Sequence, residues 1–197
     1  PRSLGPRLER LLSQFPAVVL AGARQVGKST LVDHLLAGRA DFVTFDPTVD
    51  VENARAEPQL FLDNHRRPLV LDEIQYAPEV VAALKRRIDR DRRPGQYVLT
   101  GSQQWEVLRR LQESLAGRVV LLELEGFSLG EIARRSEGIG WLERWLSAPD
   151  EFAATRAERL PEGRPLYERL WRGFLPEADS LPLDVLPDFH TAYVRTY

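Results

Sequence analysis

Five stretches of the 197-residue chain are rich in apolar, largely β-branched residues, and segments with a helical apolar period separate them. The first, Ala17 to Ala21, reads AVVLA and suits a strand buried on both faces. DFVTFD at 41–46, PLVLDEI at 68–74 with its apolar centre Leu69-Val70-Leu71, Tyr97 to Thr100, and RVVLLELE near 118–124 supply the other four. Between them, Leu31, Val32, Leu35 and Leu36 recur with helical spacing, and ENARAEPQLFLDNH holds a helical segment. PEVVAALKRRIDR at 78–90 reads as a helix with proline at its start and basic residues at its end. QQWEVLRRLQESL is a further predicted helix. Strands alternating with helix-length segments predict an α/β fold, a parallel sheet covered on both faces. Ligands of such sheets bind outside the carboxyl ends of the strands.

The pattern changes near residue 125. GFSLGEIARRSEGIG is irregular, and WLERWLSAP, APDEFAATRAERL and PLYERLWRGF then read as short amphipathic helices. These predict a small helical lid over 126–178, after a core over 1–125, with Trp141, Trp145 and Trp171 as the lid's hydrophobic core rather than platforms for stacked bases. The last stretch, EADSLPLDVLPDFHTAYVRTY, carries repeated prolines and little periodicity. Residues 179–197 are therefore expected to be a linker and the start of a further, truncated domain.

Candidate chemistry sits where the first strand meets the first helix of the alternating pattern. Gly22-Ala23-Arg24-Gln25-Val26-Gly27-Lys28-Ser29, followed by Thr30, fits G-x-x-x-x-G-K-[ST] at every fixed position. Glycine lets the backbone turn where a Cβ would obstruct, so that successive N–H groups point inward at phosphate oxygens. The helix beginning near Lys28 adds unpaired N–H groups and the positive end of its dipole. In this reading Lys28 reaches the β- and γ-phosphates and the Ser29 hydroxyl ligates Mg²⁺.

A phosphate cradle binds; hydrolysis also needs a second carboxylate and a placed water. The run Leu69-Val70-Leu71 ends in Asp72-Glu73, and two adjacent acids there are costly unless they face cations or water. Asp72 would hold the metal through its water shell, and Glu73 would act as general base on the attacking water. The strand at 97–100 ends in Thr100, Ser102 and Gln103, which would lie near the γ-phosphate if that strand is a neighbour. Arg118, in SLAGRVV, reads either as a surface charge or as a trigger reaching the γ-phosphate of a neighbouring subunit.

Composition narrows the classes. Hydrophobic content of 43% with 28% charged residues is that of a globular domain. No apolar run approaches the ~20 residues that span a bilayer. PRSLGPRLERLLSQF carries Arg and Glu where a signal peptide would be apolar, which leads us to expect a cytoplasmic protein. There is no cysteine, and His34, His65 and His190 show no ligand spacing. A net charge of −2 does not describe a polycation built to coat nucleic acid. Only Lys28 and Lys85 are lysines, so the composition favours arginine elsewhere yet keeps lysine in the glycine loop. A slim ammonium stem fits such a loop where a planar guanidinium is bulkier.

The motifs GARQVGKSTL, LVLDEIQ, YVLTGSQQ, SLAGR and WRGFLPE resemble the AAA+ ATPases, and within them a prokaryotic group that usually carries a carboxyl-terminal domain of unknown function. The resemblance implies a P-loop NTPase fold of three layers, α/β/α, around a five-stranded parallel sheet, plus a small helical lid. It also implies ATP binding and hydrolysis with Mg²⁺, by a motor or switch within a larger protein. On that pattern Gly22, Gly27, Lys28, Ser29 and Thr30 map to the phosphate loop, Asp72 and Glu73 to the metal-associated and catalytic acids, Ser102 to a sensor and Arg118 to an arginine finger in an oligomer. The chain begins at Pro1 and ends at YVRTY where similar proteins continue, and is expected to be part of a longer one.

Three rivals share the loop. A GTPase would carry Asn-Lys-x-Asp, and neither Asn53 nor Asn64 precedes lysine. A small-molecule kinase would clamp phosphate with lid arginines such as Arg134, Arg135, Arg164 and Arg172, although the Asp72-Glu73 pair favours hydrolysis. A nucleotide switch, or a DNA-associated ATPase with slow turnover, would use the basic stretch KRRIDRDRR at 85–93, which Asp89 and Asp91 dilute.

Overall fold

A computed structural model describes residues 2–45, 51–102, 115–134, 140–155 and 164–195. The chain divides into two compact units, Leu4–Glu125 and a second made of Pro1–Ser3 with Gly126–Tyr197.

In the first unit the apolar runs become β1 (Ala17–Gly22), β2 (Asp41–Thr44), β3 (Leu69–Asp72), β4 (Tyr97–Ser102) and β5 (Val119–Glu123). All pairings are parallel, in the order β2-β3-β4-β1-β5. Every residue of β1 and β3 is buried, as uninterrupted apolar runs require of inner strands. β2 lies at an edge, where Asp41 and exposed Thr44 blunt the unpaired rim.

The helices are α1 (Gly5–Leu12), α2 (Lys28–Leu36), α3 (Val51–Ala56), α4 (Pro58–Asp63) and α5 (Pro78–Arg90). Val80, Leu84 and Ile88, spaced by four, bury one stripe of α5. They join Val19, Leu69, Leu71 and Leu99 in a core shared with Ala54 of α3 and Leu62 of α4. Alternate residues Val18, Leu20, Val70 and Val98 are buried on the opposite face, against which α1 and α2 pack. The result is the three-layer α/β/α arrangement around five parallel strands that the sequence predicts. Of these five helices α1 alone was not predicted, although Leu4, Leu8, Leu11 and Leu12 stand at helical spacing around a first-turn Pro6; it buries Gly5 and Leu8. The helix predicted from QQWEVLRRLQESL lies, but for Leu115, outside the described residues.

Within the second unit the short helix Leu129–Ile132 begins at a capping box, Ser128 with Glu131. The Glu131 carboxylate also accepts from the Ser3 amide (2.7 Å) and hydroxyl (2.9 Å), and meets the Arg2 guanidinium at 3.4 Å. Burial by itself would raise its pKa, but these donors outweigh that and hold it below the usual carboxylate value.

Two expectations for this unit are corrected. Trp141, Trp145 and Trp171 are not core: their exposures are 69%, 46% and 53%. The helices Trp141–Ser147 and Leu166–Arg172 are only seven residues each, and the second turns its charges inward. Buried Arg172 donates to Glu168 (2.8 Å) and to the carbonyls of Ala178 (3.1 Å) and Leu181 (2.5 Å), while Arg164 and Arg169 pair with Asp179. Leu166, Tyr167 and Leu170 consequently face outward. Residues 179–197, expected to be a linker, contain the end of one helix, Pro176–Ser180, and the whole of another, Leu186–Arg195. Of the two prolines in that stretch, Pro187 stands in the first turn of the second helix, where a missing N–H costs nothing, and Pro182 lies in the connection between the two helices. Ala178 and Leu186 are fully buried, and His190 Nε2 lies 3.0 Å from the Trp171 carbonyl.

Candidate active site

The site is assembled where β1, β3 and β4 end. Gly22 closes β1 because nothing larger fits: a Cβ there would lie 2.2 Å from the Leu124 carbonyl oxygen. The Leu124 amide in turn donates to Ala21 O at 2.8 Å, pinning the loop's first residue beside the end of β5. Replacing Gly22 with Ala is expected to lower stability by about 1–3 kcal/mol through this clash, read as a fall in melting temperature. From Ala23 to Val26 the chain turns, with Gln25 in the left-handed region (φ 60°) and Val26 buried as the loop's inward anchor. Gly27, at φ 92° and ψ 30°, takes the left-handed position that begins α2, a conformation glycine adopts freely.

Lys28, 5% exposed, folds back over this loop. Its Nζ donates to Gly22 O at 3.0 Å and Ala23 O at 2.8 Å. Burial lowers its pKa, the charges of Glu73 and Asp72 oppose that, and Arg24 lowers it further. The ammonium thus lies within electrostatic reach of both acids.

Asp72 is the hub of the site. Ser29 Oγ lies 2.9 Å from each of its carboxylate oxygens, Thr100 donates to Oδ1, and Thr44 Oγ1 stands 3.5 Å from Oδ2. A hydroxyl at the end of the glycine loop in contact with a carboxylate is a pairing that could hold a hard cation able to keep most of its waters. Glu73 follows in the left-handed region, φ 58° and ψ 45°, which is uncommon for a residue with a side chain. Its amide donates to Thr100 Oγ1 at 3.3 Å, and its carboxylate accepts from the Gln75 side-chain amide.

Register explains the convergence. Leu71 pairs with Leu99, and one step further brings Asp72 beside Thr100, while Gly22 pairs with Ser102. The loop, the two acids and the end of β4 therefore do meet as the sequence led us to expect. Ser102 is placed there by its backbone alone, and Gln103 lies outside the described residues. The contributions of Thr44 and Gln75 went unread, although Gln75 stands in the LVLDEIQ motif; Thr100 was read toward phosphate and is found between the acids.

Arg118 stands apart. It precedes β5, whose first residue, Val119, pairs with Ala17, so six strand steps, or about 20 Å, separate the level of Arg118 from Gly22. Its guanidinium grips Asp89 of α5 through Nε (2.7 Å) and Nη2 (2.8 Å), which holds the Asp89 carboxyl below its usual range. Arginines of the basic stretch at 85–93 are paired: Arg87 with Asp63 of α4, and, within the stretch, Arg92 with Asp89 and Arg93 with Asp91. Hydrogen bonding from Arg93 pulls Asp91 down to about 2, so this acid stays ionised. Of the arginines considered for a phosphate clamp, Arg164 and Arg172 are engaged in the ion pairs described above and Arg135 lies outside the described residues. Among the described residues no cluster of three or more His, Cys, Asp or Glu is placed to hold a metal, and no helix is long and apolar enough to cross a membrane.

A family model described as an AAA domain matches residues 14–133. Two uncharacterized proteins, of Mycobacterium tuberculosis and Mycobacterium bovis, are each 34% identical over 158 residues, 80% of this chain and 35% of theirs. The chain thus spans about a third of the length of these curated relatives. Similar solved structures include the Walker-type ATPase PABY2304 of Pyrococcus abyssi, 16% identical over 76% of this chain and 67% of that one, with a TM-score of 0.45. The RuvB Holliday junction branch migration motor of Thermotoga maritima is 22% identical over 67% of this chain and 48% of its own, also with a TM-score of 0.45.

Proposed function

Because the chain belongs to the AAA domain family of P-loop ATPases, we propose that it binds ATP and hydrolyses it with Mg²⁺, as the motor or switch part of a larger protein. The observation that carries this reading is the hydrogen-bonded set of Ser29, Asp72 and Thr100 next to the buried ammonium of Lys28. Gly22 to Thr30 wrap the phosphates, and Lys28 leaves its loop carbonyls to meet the β- and γ-phosphate oxygens. Ser29 and Asp72 hold the cation, whose charge would offset the charge developing on the transferred phosphoryl group. Glu73 takes a proton from the attacking water, and Ser102 senses the γ-phosphate from the end of β4. Arg118, far from its own loop, serves a neighbouring copy once Asp89 releases it. One observation favours a slow-turnover switch as the second reading: the Gln75 amide already occupies the Glu73 carboxylate.

ADP release by the purified chain tests the proposal. We expect release with ATP and Mg²⁺, none with excess EDTA, and no dependence on a phosphate acceptor. Failure to bind ATP with Mg²⁺ present, in this chain and in the longer protein alike, would overturn it.

A further inference from the structure

Thr100 lies at a single point of contact between the two acids, and the chemistry of one hydroxyl limits what it can do there. The residue is fully buried in β4. Its hydroxyl has one proton and two lone pairs. The proton goes to Asp72 Oδ1, and the oxygen accepts from the Glu73 amide at 3.3 Å. With its donor committed to a carboxylate, Thr100 cannot also donate to a phosphate oxygen or to water. Its level in the sheet agrees: Thr100 pairs with Leu20, two residues short of Gly22, whereas Ser102 pairs with Gly22 itself.

We propose that Thr100 is a positioning residue that sets both acids at once, not a sensor of phosphate. Its proton fixes the rotation of the Asp72 carboxylate, so that Oδ2, facing Ser29 and only a distant Thr44, is the less engaged oxygen. Its lone pair ties the Glu73 amide and so holds the left-handed turn from which the Glu73 side chain leaves the strand. A single buried hydroxyl thereby links the orientation of the metal-associated acid to that of the general base. The inference rests on the roles proposed above for Asp72 and Glu73.

The test compares Thr100→Val, which keeps the shape and removes the hydroxyl, with Thr100→Ser, which keeps the hydroxyl. In the metal-free, nucleotide-free protein, Glu73 amide hydrogen exchange should speed up in the Val variant and stay near parental in the Ser variant. With ATP, Thr100→Val should lose about 10- to 100-fold in kcat and need more Mg²⁺ for half-maximal rate, while KM for ATP changes less than about threefold. Thr100→Ser should restore both. Parental exchange, kcat and Mg²⁺ dependence in Thr100→Val would overturn the proposal, as would equal loss in the Val and Ser variants, which assigns the effect to the methyl group. If Thr100→Val does not fold, Thr100→Cys, of similar size with a weak donor, is judged by the same outcomes. Glu73→Gln run alongside separates the two levels: full turnover there refutes the role of Glu73, whereas loss of turnover there with an unaffected Thr100→Val refutes only the role of Thr100.

Discussion

Lys28→Ala should abolish ATP binding at concentrations that saturate the parent chain, weakening Kd by about 100-fold or more. The ammonium is buried, lies on the carbonyls of Gly22 and Ala23, and is within electrostatic reach of Asp72, Glu73 and Arg24. Phosphate oxygens would replace neutral carbonyl partners with charged ones, and hydrogen bonds to charged groups contribute about 1.5–3 kcal/mol each. Two of them correspond to at least two decades of affinity, since about 1.4 kcal/mol is tenfold. Removing the cation also leaves Asp72 and Glu73 to repel the incoming phosphates. Lys28→Arg should not rescue, because a planar fork is bulkier than the ammonium in this closed space. Calorimetric titration with ATP reads both variants; a Kd for Lys28→Ala within about threefold of the parent would remove Lys28 from the phosphate site.

The parts of the molecule that could be read from sequence are those whose cause is local. The helix expected at 78–90 is found at Pro78–Arg90, because proline at its start, basic residues at its end and apolar residues four apart all lie inside the segment. The glycine loop was legible for the same reason: strand, turn and helix follow one another without a gap. The contacts among Asp72, Thr100 and Ser29 depend on strand order and register, which no single segment encodes. Thr100 could thus be placed near the site but not between the acids. In the second unit the apolar rule misled. On Leu166–Arg172 a network of buried Arg172 and half-buried Arg169 with Glu168, Asp179 and backbone carbonyls takes the inward face, and the large apolar side chains are left outside. Proline misled in the opposite direction: Pro187 reads as a chain breaker in the sequence, yet it stands in the first turn of a helix whose first residue, Leu186, is fully buried.

Glu73→Gln should bind ATP at least as tightly as the parent and lose about 100- to 10,000-fold in turnover, the range that a general base contributes. The substitution keeps the shape of the side chain and replaces a carboxylate, which can take a proton, by an amide, which cannot. Binding is expected to survive because the groups assigned to the phosphates belong to the loop and Lys28, and losing one negative charge beside them can only favour an anionic ligand. The backbone device survives too: the Glu73 amide still donates to Thr100, so the left-handed turn does not depend on the side chain. Gln75 is the complication, since its amide now meets the carboxylate and would meet an amide in the variant, which still offers it an oxygen to accept. Single-turnover ADP formation beside a calorimetric Kd separates the two properties. Turnover within about threefold of the parent would mean that Glu73 does not take the proton; the carboxylate would then be held by Gln75 throughout, and the attacking water would be oriented by another group at the strand ends.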